Sequence, residues 1–158
     1  YVSFYGSMGD FDMKVIVCVD DGNGMLFNKR RQSQDRVLRD DVQKMTSGQK
    51  LWMNAYSARQ FQEGSQTGEN VTGVSETAAL IVAEDFLRQA GENDFCFVEN
   101  EKLLPYSDRI TEVVVYRWNR SYPGDFHLDL DLNQWRLVQT TEFAGYSHEK
   151  ITKEIYRK

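Results

Sequence analysis

The sequence predicts a single α/β domain in which helices flank a mixed β-sheet that ends in an antiparallel hairpin. Continuous apolar runs at residues 15–19 and 113–115 are typical of central strands covered on both faces. Helical segments separate the first strands, which favours parallel strand pairs joined by crossovers. The last two strands, at residues 135–140 and 151–156, have no helix between them and therefore predict a hairpin.

The first half of the chain carries the predicted helices. A helix is expected over residues 34–45, because its apolar residues share one helical face and Ser47-Gly48 ends the pattern. The other elements of this half are a strand at 51–53, a short helix at 57–61, a strand at 79–83, a short helix at 84–90 and a strand at 95–98. Residues 62–77 are polar without apolar periodicity, which predicts a mobile surface loop.

The second half is predicted to be mostly strands. A turn or short helix is expected over residues 99–108, followed by the longest strand at 110–116. From Phe126 to Leu132, apolar residues alternate with His127, Asp129 and Asp131, which predicts a strand with one buried face. Residues 141–150 then join the two strands of the hairpin.

Length and composition fit one domain in the cytoplasm. The 158 residues include 41% apolar residues, enough for a core without disulfides or metal. Cys18 and Cys96 lie in apolar runs, so we expect both to pack in that core. No signal peptide or membrane-spanning run is visible, which predicts a cytoplasmic protein. We interpret residues 1–12 as a leader or artificial extension and residues 13–158 as the domain.

A basic segment is the strongest candidate for a binding site. It comprises the candidate residues Asn28, Lys29, Arg30, Arg31, Gln32, Asp35 and Arg36. Arginine forks beside a helix N-terminus suit a phosphate or carboxylate. The alternative is a solvated loop that pairs with acidic Asp125, Asp129 and Asp131. The net charge of −5 makes nucleic acid an unlikely partner.

Polar residues also follow two of the predicted strands. Asn54 and Tyr56 come after the strand at 51–53, and Glu99 and Asn100 come after the strand at 95–98. Open α/β sheets bind ligands at the carboxyl ends of their strands, so these four residues are further ligand candidates. The alternative is that they form ordinary turns and caps.

Three other features favour structural interpretations. We expect His127 to be exposed and His148 to be structural, although His148 could serve as a general acid or base. Residues 117–120 include two arginines and Trp118, which could stack on a base. We favour the alternative that these residues only lead the chain out of the preceding strand. The sequence shows no metal-binding cluster, so no metal is expected.

From Met13 to Lys158, the order of segments resembles that of dihydrofolate reductases. The matching features are the first strand ending in Val19-Asp20, the Gly24-Met25 pair, the strand ending in Met53, the strand at 112–116, Asp125-Phe126-His127, Trp135, Glu142-Phe143, Ser147-His148 and the closing Glu154-Ile155-Tyr156-Arg157. The resemblance implies a dihydrofolate reductase-like mixed sheet and a cleft that, in that family, holds a pterin and NADPH.

The sequence departs from that family where the cofactor binds. Glu99 and Asn100 replace a Gly-Gly pair that lets the backbone approach the cofactor, and Glu99 adds negative charge near the expected pyrophosphate. Asn54-Ala55 stands where the family has a Gly-Arg pair that helps bind the cofactor's phosphate. NADPH is therefore not excluded as a cofactor, but the motifs that usually bind it are altered.

The pterin side of the expected cleft also departs from the family. Aligning backward from Met53 puts Leu38 near the family's buried carboxylate, with Asp35 about one turn away. Asn28, Lys29 and Arg30 replace the tryptophan and proline of the preceding loop. Three altered elements in one cleft predict a repurposed site rather than a working folate reductase.

The chain is also similar to a small group of short bacterial proteins that share the stretch MLFNKRRQSQDR, here residues 25–36. Some of these proteins carry an automatic ribonuclease Z label, which implies a dinuclear metal site rich in histidine and aspartate. Only His127 and His148 are present, in separate segments, so we do not expect that activity.

The leading hypothesis is a divergent dihydrofolate reductase-like protein whose cleft binds a small anionic or nucleotide-like ligand, without the usual folate chemistry. One alternative is an NADPH-dependent reductase of unknown substrate, in which Lys29, Arg30 or Arg31 contacts phosphate. The other is a non-catalytic interaction module or homodimer, built on an exposed sheet edge or aromatic patch.

Overall fold

A computed structural model describes residues 12–64 and 79–158, with only the backbone described for 62–64. The predicted leader, except residue 12, and most of the predicted loop at 62–77 lie outside these residues. The described elements are β1 (Met13–Val19), β2 (Gly24–Phe27), β3 (Arg30–Arg31), α1 (Arg36–Met45), β4 (Lys50–Met53), α2 (Ala55–Gly64), β5 (Ala79–Val82), α3 (Phe86–Gln89), β6 (Asp94–Phe97), β7 (Ile110–Arg117), β8 (Phe126–His127), β9 (Arg136–Phe143) and β10 (Ile151–Arg157). Short 3₁₀ helices at Leu104–Arg109 and Leu132–Gln134 precede β7 and β9.

Seven of these strands form one mixed sheet in the order β5-β4-β6-β1-β7-β10-β9. The first five strands in that order pair in parallel, and β10 runs antiparallel to both β7 and β9. This arrangement confirms the predicted fold class, including the C-terminal hairpin. The sequence did not predict a second, smaller sheet, in which β2 lies between β3 and β8.

The central strands are buried on both faces, as their continuous apolar sequences predicted. Val15 and Val17 of β1 pack with α3 on one face, whereas Ile16 packs with α1 and α2 on the other. Each fully buried side chain of this kind contributes roughly 1.5–3 kcal/mol. Cys96 lies in the first cluster, where burial raises the pKa of its thiol to about 12, and Cys18 packs against the second.

Helix α1 begins close to its predicted start, because Asp35 caps it. The Asp35 carboxylate accepts hydrogen bonds from the amides of Val37 and Leu38, and Leu38 and Val42 are buried one turn apart. Helix α2 is longer than predicted, because it includes residues 62–64 of the expected loop. No helix in the described ranges combines the length and the apolar character that a membrane span requires.

The predicted strand from Phe126 to Leu132 is wrong beyond its first two residues. Leu128 and Leu130 are buried, as the alternation indicated, but only Phe126–His127 pairs with another strand. The Asp129 carboxylate instead binds the amides of Leu103 and Leu104. The alternating pattern misled because it encodes which side chains are buried and not whether the backbone pairs with another strand.

Candidate functional site

A cleft of about 570 Å³ lies between the β2–β3 hairpin and the segment that leads into β8. Its lining residues are Phe27, Asn28, Arg30, Arg31, Gln32, Tyr122 and Pro123. The volume falls in the range of roughly 300–1,000 Å³ that is usual for small-molecule sites. The structure therefore brings four candidate residues of the basic segment to one cavity wall.

The hairpin that carries these residues turns at Asn28 and Lys29. Both have positive φ angles, 52° and 63°, and Phe27 pairs with Arg30 across the two-residue loop. This geometry is typical of a type I′ turn, which follows the twist of the flanking strands. The Asp125 carboxylate accepts a hydrogen bond from the Asn28 amide at 3.1 Å and ties the turn to the neighbouring segment.

The Arg30 guanidinium is exposed on the cleft wall. Among the described residues, none forms a hydrogen bond or an ion pair with it. Lys29 is also exposed, at the tip of the hairpin, but it does not line the cleft. Arg30 is therefore the cation that a ligand entering the cleft could pair with directly.

Gln32 lines the cleft, and its side-chain amide forms hydrogen bonds through its nitrogen but not through its oxygen. Its Nε2 donates to Asp20 Oδ2 at 3.3 Å and to the Pro123 carbonyl at 3.0 Å. Its Oε1 is buried and has no hydrogen-bond partner among the described residues. Exchanging the two amide atoms would place Oε1 against two acceptors, so this orientation is the favourable one.

Arg31 differs from Arg30 because its charge is already neutralised. Its Nε and Nη2 bind the two carboxylate oxygens of Glu99 at 2.9 and 3.0 Å, and its guanidinium lies 4.5 Å from the centre of the Tyr56 ring. Ser57 and Gln60 donate to the same carboxylate at 2.8 and 3.2 Å. Glu99 is 8% exposed, so this is a largely buried, bidentate ion pair.

Asn54 and Asn100 meet at the carboxyl ends of β4 and β6. Asn54 Nδ2 donates to Asn100 Oδ1 at 2.8 Å, while Asn54 Oδ1 accepts a hydrogen bond from the Ser57 amide. Asn54 thus caps the first turn of α2, as the alternative interpretation expected. The structure brings Asn54, Tyr56, Glu99 and Asn100 together behind the Arg31 side of the cleft, but none of the four is among its lining residues.

Asp35 also lies outside the cleft lining, in a second buried cluster. Besides capping α1, it accepts hydrogen bonds from the amides of Tyr146 and Ser147 at 2.8 and 2.7 Å and contacts His148 Nδ1 at 3.1 Å. Burial raises the pKa of the Asp35 carboxyl, but hydrogen bonds from Tyr146, Ser147 and His148 outweigh burial and hold that pKa well below its usual value. Asp35 is therefore a buried anion, and the amides at the start of α1 are already occupied.

The histidine in that cluster connects it to the cleft. His148 Nε2 lies 2.9 Å from the hydroxyl of Tyr122, which lines the cleft, and 3.1 Å from the hydroxyl of Ser33. The imidazole stacks on the Trp118 indole with ring centroids 4.5 Å apart. Trp118 is buried, so the run 117–120 leaves the strand in the way that we favoured from the sequence.

Several residues of these clusters could not be singled out from the sequence. Phe27, Tyr122 and Pro123 line the cleft, and Asp20 anchors Gln32, yet no sequence pattern assigned any of them to a binding site. The turn signal in Pro123-Gly124 was the only available hint. Arg36 was singled out, but it lies over the Tyr146 ring at 4.1 Å and does not line the cleft.

Comparisons with known proteins identify the fold. No family model and no curated protein matches the sequence. Among solved structures, the chain is similar to a dihydrofolate reductase from Enterococcus faecalis complexed with NADP(H) and RAB-propyl, with a TM-score of 0.59. The match covers 94% of this chain and 96% of that chain at 10% sequence identity. The fold is thus dihydrofolate reductase-like, and so low an identity shows the fold alone.

Proposed function

We propose that the protein binds a small anionic, nucleotide-like ligand in the cleft and does not carry out the usual reduction of folate. The observation that carries this proposal is the exposed guanidinium of Arg30, which has no partner among the described residues. A guanidinium presents paired N–H donors that match the oxygens of a phosphate or carboxylate. Arg30 supplies the positive charge, because the charge of Arg31 is neutralised by Glu99.

The rest of the cleft suits a planar group attached to that anion. Phe27, which is 42% exposed, and Tyr122 contribute two aromatic residues to the lining. Aromatic side chains offer flat apolar surface to a base or a similar ring.

Glu99 supports the second part of the proposal. Its carboxylate follows β6, where the resemblance to dihydrofolate reductases implies bare glycine backbone against the cofactor. Four hydrogen bonds from Arg31, Ser57 and Gln60 hold that carboxylate in place. A dinucleotide pyrophosphate would therefore meet a fixed side chain in place of bare backbone, which disfavours the alternative of an NADPH-dependent reductase.

Calorimetric titration of the purified chain tests the proposal. Adenosine monophosphate, inorganic phosphate and NADPH are titrated separately, and cofactor fluorescence gives a second readout for NADPH. We expect the mononucleotide to bind with a Kd near 10 μM, about −7 kcal/mol, and phosphate to bind more weakly. NADPH as the tightest ligand would instead support the reductase alternative.

The variant Arg30→Ala identifies the cation responsible. Losing a charge-assisted contact worth about 1.5–3 kcal/mol should weaken mononucleotide binding by roughly 10- to 100-fold. Arg136→Ala is the matched control, because Arg136 is exposed at the start of the edge strand β9, away from the cleft lining. No binding of any of these ligands up to millimolar concentration, or equal losses in the two variants, would contradict the proposal.

A further inference from the structure

Three side chains beside the cleft have the connectivity of a nucleophilic triad. Ser33 Oγ lies 3.1 Å from His148 Nε2, and His148 Nδ1 lies 3.1 Å from Asp35 Oδ2. Ser33 is partly exposed and directly follows Gln32 of the cleft wall, but Ser33 itself is not among the lining residues. The side chains of His148 and Asp35 are 2% and 0% exposed. A buried carboxylate, an imidazole and an accessible hydroxyl in this order are recognised by geometry and not by sequence position.

The surroundings fix the orientation of the imidazole. Because Nδ1 faces a carboxylate that only accepts hydrogen bonds, Nδ1 carries a proton and Nε2 of the neutral ring presents its lone pair to the hydroxyls. Stacking on the Trp118 indole holds the ring plane, and the Ser147 hydroxyl also contacts Nδ1 at 3.2 Å. Hydrogen bonds from two backbone amides keep the Asp35 carboxylate ionised and in place.

A hydroxyl donor stands beside the nucleophile. The Tyr122 hydroxyl lies 2.9 Å from the same Nε2 atom that Ser33 contacts, and Tyr122 lines the cleft. Tyrosine hydroxyls are among the donors that stabilise the oxyanion of a tetrahedral intermediate. When Ser33 engages Nε2, the phenol is free to donate into the cleft.

We propose that Ser33, His148 and Asp35 form a nucleophilic site that hydrolyses small carboxylic esters bound in the cleft. Ser33 is the nucleophile, His148 the general base, Asp35 a positioning residue and Tyr122 the oxyanion donor. This activity goes beyond the ligand binding proposed above, and it does not depend on the charge of Arg30.

The chemistry is an ordinary acyl transfer in two steps. Ser33 Oγ bonds to the acyl carbon while its proton passes to His148 Nε2. The bond from that carbon to the alcohol oxygen then breaks, and the alcohol leaves with that proton. Water attacks the acyl-serine in the second step, gives a proton to His148, and releases the carboxylic acid as Ser33 regains its proton. No further reactant is required.

Covalent labelling with a neutral fluorophosphonate probe tests the site without knowledge of the natural substrate. The full chain is incubated with the probe, the adduct is located by peptide mass spectrometry, and hydrolysis of 4-nitrophenyl acetate is followed in parallel. We expect one adduct, at Ser33, that is absent in Ser33→Ala.

The variant Asp35→Asn tests the positioning role. Asparagine keeps the oxygen that caps α1 but no longer holds the imidazole in the reactive tautomer, so labelling should slow by about 10²–10⁴-fold while the chain stays folded. Asp40→Asn is the control, because Asp40 is an exposed carboxylate on α1 that contacts neither His148 nor Ser33, and its labelling rate should equal that of the parent. Restored labelling in Asp35→Glu would add support.

Two results would overturn the proposal. One is the absence of an adduct at Ser33 after prolonged exposure to excess probe. The other is an equal labelling rate in Asp35→Asn and the parent, with circular dichroism showing both folded. The nucleotide titration and the probe labelling are separate measurements on the parent chain, so failure of the one proposal is distinguishable from failure of the other.

Discussion

Two buried carboxylates lie just behind the cleft wall, and their hydrogen-bond partners differ. Glu99 is bound entirely by side chains, above all by the guanidinium of Arg31. Asp35 is bound mainly by backbone amides, with one imidazole contact. Glu99 contacts Arg31, which lines the cleft. Asp35 contacts His148, and His148 in turn contacts Tyr122, which also lines the cleft.

The two carboxylates therefore differ in whether their partner can take part in proton transfer. A guanidinium does not release protons in proteins, so the pair of Glu99 and Arg31 is a fixed, neutral unit. An imidazole has a second nitrogen, and His148 presents that nitrogen to two hydroxyls. The negative charge of Asp35 can therefore influence proton transfer next to the cleft, whereas the charge of Glu99 cannot.

Breaking the Glu99 pair should have the largest effect on stability. Glu99→Ala removes the acceptor that the Arg31 guanidinium, the Ser57 hydroxyl and the Gln60 amide share, although Arg31 Nη2 keeps its hydrogen bond to the Tyr56 carbonyl. We expect a loss of about 3 kcal/mol in the free energy of unfolding, measured by urea denaturation, at the lower end for buried pairs because Arg31 is 21% exposed. Glu142→Ala is the control, since its ion pair with Lys150 is exposed and should contribute at most about 0.5 kcal/mol. Similar losses in both variants would show that the Glu99 pair is not a structural unit.

Gly145 tests whether the site of Asp35 is as rigid as its hydrogen bonds imply. A Cβ at position 145 would lie 2.7 Å from Asp35 Oδ2, 2.7 Å from Ile151 Cδ1 and 3.1 Å from the His148 carbonyl oxygen. The carboxylate and the backbone cannot easily move, so Gly145→Ala should cost about 2 kcal/mol in thermal or urea unfolding.

Gly124→Ala is the matched control at the cleft. There the new Cβ would meet only the Gln32 Nε2 atom closer than 3.4 Å, at 2.7 Å, and the flexible end of that side chain can shift aside while its bonds to Asp20 and Pro123 lengthen. We expect a cost below about 1 kcal/mol. If Gly145→Ala proved equally mild, the cluster around Asp35 would be more adaptable than its hydrogen bonds indicate.

The pH dependence of stability should separate Asp35 from its neutral replacement. The pKa of Asp35 in the folded chain is held below its unfolded value of about 3.9, so the unfolded chain takes up the proton first as the pH falls. The stability from this group is therefore complete above about pH 5 and is lost as the pH falls below about 4. We expect urea denaturation to show the parent roughly 1.5 kcal/mol more stable than Asp35→Asn at pH 6, with a narrowing difference towards pH 3. A difference that stays constant over this range would contradict the assigned ionisation.

The sequence predicted those features that local patterns encode. The β-branched runs identified the buried strands, and the apolar spacing located α1 to within two residues of its start. Local patterns misled from Phe126 to Leu132, where burial alternates as in a strand but the Asp129 carboxylate binds backbone amides of another segment.

The partners of the two carboxylates could not be predicted, because they lie far away along the chain. Glu99 is 68, 42 and 39 residues from Arg31, Ser57 and Gln60, and Asp35 is 113 residues from His148. No local pattern encodes such pairs, although the sequence did single out the segment 28–32 that reaches the cleft wall. Glu99 binds Arg31 only once the whole sheet has folded. The sequence alone therefore could not show that Arg30, and not Arg31, is the available cation.

The smallest expected effect concerns the turn that presents Arg30 and Arg31. Lys29 has φ 63° at the second position of the two-residue loop, where a side chain is disfavoured and type I′ turns prefer glycine. Lys29→Gly should therefore stabilise the chain by about 0.5 kcal/mol, less than the full relief of strain because glycine also loses more conformational freedom on folding. A rise of about 1–2 °C in Tm would be the readout. Asn28→Gly is the control and should give no gain in Tm, since asparagine tolerates this conformation. A fall in Tm for Lys29→Gly would mean that the lysine side chain itself stabilises the hairpin. Because Leu26 pairs with Arg31 across this hairpin, a firmer turn should leave the contact with Glu99 in place and change only how rigidly Arg30 is held at the cleft.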